Sequence, residues 1–136
     1  MSAAYGDRFE FVVGLSNNTV RAYAQKHPDL QCDVLFIDGA KFPDQRFVDL
    51  HTFRKLARSQ AVLFYDEAAS LPCVRGQVPE KSSLCSSPDG ASKAYNRAAK
   101  QGLTKVIDCR WAVRGKAGYP KEGKSGGDGS CVAEYV

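Results

Sequence analysis

The sequence predicts an α/β fold on a three-layer, mostly parallel sheet, and three observations carry that prediction. Between Phe9 and Tyr65, strand-like and helix-like segments alternate in the order strand, helix, strand, helix, strand, the pattern of parallel βαβ units. Two of the strand runs, Val34 to Ile37 and Ala61 to Tyr65, are apolar on both faces, as strands covered by helices on either side require. Near the C-terminus the pattern changes to the period-2 alternation of a half-wet antiparallel hairpin. At 136 residues the chain has room for one domain with a modest core.

The elements follow in order. Phe9-Glu10-Phe11-Val12-Val13 is a strand signal, and Glu10 inside it marks an edge strand. Gly14 breaks it, and Ser16-Asn17-Asn18 supplies N-cap chemistry for a helix with Val20, Tyr23 and Ala24 on one side. The strand Val34 to Ile37 turns through Gly39 into a helix opening near Pro43-Asp44. Phe47, Leu50, Phe53 and Leu56 form that helix's apolar stripe, with Asp44 at its start and Arg54, Lys55 and Arg58 at its end suiting the macrodipole. After the strand Ala61 to Tyr65 comes a long loop, 68–88, rich in Pro and Ser. A helix from Ala91 to Gln101 closes on Gly102 as its C′ residue. Ile107, Cys109, Trp111 and Val113 alternate with polar or small residues, and a Gly-rich loop, 114–130, leads to the last strand, Cys131 to Tyr135.

Composition narrows the function classes. Hydrophobic content of 43% with 25% charged residues is that of a globular chain. The net charge of +4 is scattered, giving no basic stripe for nucleic acid. With no apolar h-region at the start and no long apolar run, the sequence reads as cytoplasmic, with no membrane partner. Five cysteines form no Cys-x-x-Cys pair, which argues against structural zinc. Cys32 and Cys109 read as small buried hydrophobes. Cys73 and Cys85 share a loop and can bridge, but in a reducing compartment free thiols are expected.

The chemistry gathers at strand ends. Val34-Leu35-Phe36-Ile37 stops abruptly at Asp38-Gly39-Ala40-Lys41, and the next strand stops at Asp66-Glu67, 28 residues after Asp38. Taken singly, the first reads equally as a turn and the second as a loop cap. Together, at two successive strand ends, they point to a crevice, since ligands of open parallel sheets bind beyond the carboxyl ends of the strands. Three converging carboxylates call for a cation, and Mg²⁺ is the natural occupant. Lys41 reaches the same crevice and offers a proton acceptor if the site lowers its pKa. Ser16 and Asn17 arrive from the end of the first strand. His27 and His51 lie on helices away from these ends, and Trp111 reads as packing.

Residues Phe11 to Ser16, Cys32 to Lys41 and Val62 to Glu67 resemble the third, fourth and fifth strands of class I S-adenosylmethionine-dependent methyltransferases. The likeness is strongest to the metal-dependent O-methyltransferases, such as catechol and caffeoyl-CoA O-methyltransferase, and spans Phe9 to Glu67. It implies a Rossmann-like sheet, S-adenosylmethionine as methyl donor and a small-molecule hydroxyl acceptor. It further implies Asp38, Asp66 and Glu67 as metal ligands and Lys41 as the catalytic base, with Gly14, Ser16 and Asn17 in the loop that contacts the cofactor. Glu67 departs from the Asp or Asn usual there.

The family's glycine-rich first strand and its second strand have no counterpart before Phe9. The fold is therefore expected to be the C-terminal half of a methyltransferase domain that binds S-adenosylmethionine weakly or not at all by itself. The family places its third strand beyond the second and first, so a gap two strands wide is left, at about 4.8 Å per strand. Phe9 to Val13 moving inward to pair with Val34 to Ile37, a second chain, or a longer parent protein would each close it. An unpaired edge also invites a homodimer. The competing reading is a non-catalytic remnant serving as an interaction module. A phosphoacceptor receiver-like domain lacks the acidic pair and the lysine that it needs at other strand ends.

Overall fold

The computed structural model describes residues 8–39, 42–68, 71–76, 90–112 and 128–136. Lys41, Cys85, most of the 68–88 loop, the 114–127 stretch and the side chain of Trp111 lie outside the described residues. The elements are α1 (Ser16–Lys26), β1 (Cys32–Ile37), α2 (Pro43–Phe53), β2 (Ala57–Tyr65), the short α3 (Leu71–Val74), α4 (Gly90–Lys100), β3 (Thr104–Ala112) and β4 (Asp128–Tyr135). The sheet order is β1-β2-β4-β3. β1 and β2 are parallel, with Ile37 opposite Tyr65, while β4 runs antiparallel to both β2 and β3. This is the mixed α/β fold that the sequence predicts, and its C-terminal hairpin inserts the last strand next to β2.

Alternation explains the layering. Leu35 and Ile37 of β1, Leu63 and Tyr65 of β2, and Cys131, Ala133 and Tyr135 of β4 are buried on one face of the sheet. The helices pack on one another as a single layer, α1 on α2, α2 on α4 and α4 on α3. Phe47 and Leu50 of α2 and Ala91, Ala94, Tyr95 and Ala98 of α4 complete the core. Tyr65 and Tyr95 stack at 3.9 Å. Each core tyrosine hydroxyl has an acceptor: Tyr65 Oη donates to Thr104 Oγ1 at 2.7 Å, Tyr95 Oη to Asp66 O at 2.6 Å and Tyr135 Oη to Leu50 O at 2.7 Å. Buried polar atoms left without partners would cost about 1–3 kcal/mol each.

The opposite face is bare among the described residues. Val34 is 60% and Phe36 61% exposed, and Phe64 beside them is also exposed. Among the described residues β1 is an edge strand, because Phe9–Val13 forms no strand and does not pair with it. That corrects the strand expected there. The sequence has strand propensity, but a strand needs a ladder to satisfy its backbone, and the segment is an exposed arm with Phe11 77% accessible. The arm is tied to α1 by Tyr23 Oη, which donates to Glu10 Oε2 at 2.9 Å. A cavity of about 340 Å³ opens between Glu10 and Val12 of the arm, Val20 and Tyr23 of α1, and the Phe53 to Leu56 turn that leads toward β2.

Gly14 is fixed by geometry. Its φ is +146°, and a Cβ there would lie 2.5 Å from Thr19 Cγ2, in a region that only glycine enters freely. Gly14→Ala is expected to lower stability by about 1–3 kcal/mol, read as a lower urea midpoint. A change under half a kilocalorie would show that the arm and the start of α1 shift freely. Helix α1 starts at Ser16 with Leu15 as its N-cap and no side-chain cap. The Ser16 hydroxyl is committed elsewhere, as described below. Gly102 closes α4 with φ +69°, and its N–H donates to Ala99 O.

The cysteines depart from expectation. Cys109 and Cys131 face each other in the β3–β4 register, with Cα atoms 4.0 Å apart, and form a disulfide. Cys109 is therefore not a buried free thiol. Cys73 is disulfide-bonded as well, and Cys32 is free. The pairing depends on strand register across a sequence separation of 22 residues, which no local pattern encodes. No helix among the described residues is long and apolar enough to cross a membrane.

Candidate functional site

Asp38 follows β1, and Asp66 and Glu67 follow β2. The parallel register sets them side by side, with Asp66 N–H donating to Ile37 O at 3.3 Å. The Asp38 and Asp66 carboxyls lie close enough at the two strand ends for each to feel the other's charge. Asp38 accordingly titrates above its ordinary value. Lost hydration is the largest cause, followed by the Asp66 hydrogen bond and the Asp66 and Glu67 charges, with Arg46 pulling the other way.

A carboxyl whose pKa is raised by folding favours the folded state most when it is protonated. Its contribution is complete below the unfolded value near 3.8 and is lost as pH rises through the higher folded value. Asp38→Asn is expected to remove that part of the pH slope in urea unfolding. An unchanged slope would place the proton elsewhere.

Glu67 pairs with a buried arginine. It sits at φ +56°, in the left-handed region, and its Oε2 lies 3.3 Å from Arg46 Nη2. Arg46 comes from the first turns of α2 and is fully buried. Its Nη1 donates to Ile37 O at 2.7 Å and to Tyr95 Oη at 2.9 Å, and its Nη2 to Gly39 O at 3.1 Å. The guanidinium thus joins both strand ends to α4. Among the described residues no three His, Cys, Asp or Glu side chains are arranged to hold a metal ion. The Mg²⁺ expected from the sequence therefore has no three-carboxylate site among the described residues.

A second group of polar residues flanks the same corner. Ser16 Oγ donates to Asp49 Oδ1 at 2.7 Å, and Asp49 is 1% exposed. A Cβ built on Gly39 would lie 3.1 Å from Asp49 Oδ2 and 4.0 Å from Ser16 Oγ, so the absence of a side chain at Gly39 keeps this corner open. Asp49 Oδ2 and Asn17 Oδ1 are buried acceptors without a hydrogen-bond partner among the described residues. Buried acceptors are ordinarily satisfied, so Asp49 Oδ2 beside Gly39, with Asn17 Oδ1 next to Ser16 on α1, suits a ligand that brings N–H donors. The structure therefore brings Ser16 to the Asp38–Gly39 turn, as the sequence suggests, while Gly14 serves the turn into α1.

Arg46 and Asp49 are the residues that sequence reasoning missed. Both fall on the inward face of α2, at i−4 and i−1 from Leu50. A polar residue in step with an apolar stripe is the signal that could have found them. His51 is exposed and packs edge-on against Phe47, as expected of a helix-packing residue.

The sequence matches no family model and no curated protein. Among solved structures the fold is similar to that of an O-methyltransferase from Bacillus cereus in complex with SAH, at 19% sequence identity and a TM-score of 0.63. The likeness covers 98% of this chain and 53% of that one, so the chain spans about half the length of the enzyme it resembles. The described chain has the fold of a methyltransferase over that shared half.

Proposed function

We propose that this chain is the acceptor side of an S-adenosylmethionine-dependent O-methyltransferase domain, with the larger part of the donor site supplied by polypeptide beyond it. The observation that supports this most is the bare sheet. An open β1 edge, exposed Val34, Phe36 and Phe64 on one face, and an arm held off the sheet beside a cavity of about 340 Å³ are what remains when two strands and their helices are taken from a doubly covered sheet. The same edge is where a second copy of the chain would pair.

S-adenosylmethionine, when bound, supplies an electrophilic methyl group on a sulfonium. In this reading the chain's own residues hold one corner of it. Asn17 Oδ1 and Asp49 Oδ2, acceptors without partners among the described residues, would accept N–H donors of the cofactor, and Ser16, held by Asp49, would line the same corner. The Asp38 and Asp66 carboxyls at the adjoining strand ends orient a small hydroxyl acceptor, and the ionised form takes up its proton. Lys41, three residues beyond Asp38, is the alternative base on the same loop.

The test is a nuclear magnetic resonance titration of the chain with SAH. Fast-exchange shifts confined to the amides of Ser16, Asn17 and Gly39 at millimolar ligand are expected. No shift at that corner would remove the cofactor assignment and favour the reading as a non-catalytic interaction module.

A further inference from the structure

We infer that Arg46 is the resident cation of the strand-end cluster, standing where the sequence pattern calls for a divalent ion, so that this site binds no metal. The inference does not depend on the methyl-transfer reading. Three carboxyls, Asp38, Asp66 and Glu67, leave two adjacent strand ends and need a positive charge among them. Arg46 supplies it from beneath. Its guanidinium bonds the carbonyls of Ile37 and Gly39, the residues on either side of Asp38, and pairs with Glu67 Oε2 at 3.3 Å. Tyr95 Oη, itself donating to Asp66 O, accepts a further N–H and fixes the plane of the group.

The placement is specific to arginine. A planar fork satisfies several acceptors at once in a buried site and stays charged at every physiological pH. Its effect on a metal is twofold. Glu67 Oε2 is engaged by the guanidinium at 3.3 Å, and no three acidic side chains among the described residues are arranged to hold a metal ion. A fixed positive charge close below the remaining pair also repels a second cation, by more than it would in bulk water because the guanidinium is buried.

Mn²⁺, followed by water-proton relaxation, tests this on the intact chain, with Mg²⁺ as competitor. The wild-type chain is expected to show no saturable Mn²⁺ binding at millimolar metal. Arg46→Met is expected to gain about tenfold or more in Mn²⁺ affinity, and adding Asp38→Asn should abolish the gain. Wild-type binding of one Mn²⁺ that Mg²⁺ displaces and Asp38→Asn removes would overturn the inference. So would a folded Arg46→Met chain with no gain. Should Arg46→Met fail to fold, Arg46→Lys retains the charge, and Mn²⁺ binding by that variant at Asp38 would equally contradict it.

Discussion

Replacing Arg46 by methionine is expected to lower the stability of the folded chain by about 3–5 kcal/mol, because it removes one partner of a buried charge network and leaves the others in place. The change removes the Arg46 hydrogen bonds to Ile37 O, Gly39 O and the Tyr95 hydroxyl, and it takes away the guanidinium that lies 3.3 Å from Glu67. Lysine should recover only a small part, since a single ammonium on a flexible stem cannot reach two backbone carbonyls and a carboxylate in one plane. Urea unfolding monitored by circular dichroism measures it. A loss below about 1 kcal/mol, typical of an exposed pair, would mean that water or a shifted side chain satisfies the strand ends once Arg46 is gone.

Truncating Tyr95 to alanine is expected to cost a similar amount, about 3–5 kcal/mol, for a different reason. The ring is fully buried, stacks on Tyr65 at 3.9 Å and lies 5.6 Å from the Arg46 guanidinium. Its removal leaves a cavity between α4 and the sheet that Ala91, Ala94 and Ala98 are too small to fill. Tyr95→Phe separates the hydroxyl from the ring. It should cost only about 1–2 kcal/mol, the value of a buried hydroxyl that bridges a donor and an acceptor. Residues in one network are not additive, so Tyr95→Phe in an Arg46→Met background should cost less than it does in the wild-type chain. Full additivity would separate the hydroxyl from the guanidinium and undo the account of the site as one connected unit.

What the sequence makes legible follows the range of each interaction. β1, the α2 stripe, the Gly102 cap and the terminal hairpin are written in local periodicity and turn chemistry, and the structure contains all of them. Asp38 and Asp66 come together because two parallel strands end in register, and strand ends are readable. Phe9–Val13 is misread because its residues favour a strand while no described strand pairs with it. Propensity names a conformation and not a partner. Arg46 and Asp49 escape notice because their burial makes sense only through residues far away in sequence, Glu67 and Tyr95 for the first and Ser16 for the second. The Cys109–Cys131 disulfide is hidden in the same way, since register decides it. Glu67 illustrates the limit of reading a ligand set from spacing. It stands beside Asp66 in the chain, yet it sits in a left-handed turn with its Oε2 on a buried guanidinium.

In the proposed reading, the described residues hold one corner of a methyl-donor site and polypeptide beyond them supplies the rest. Isothermal titration of this 136-residue chain with S-adenosylmethionine measures that claim most directly. The account predicts no saturable heat up to millimolar cofactor. A one-to-one isotherm with a dissociation constant of micromolar order, about −8 kcal/mol of binding free energy, would contradict it, because the contacts at Ser16, Asn17 and Asp49 alone cannot supply that much.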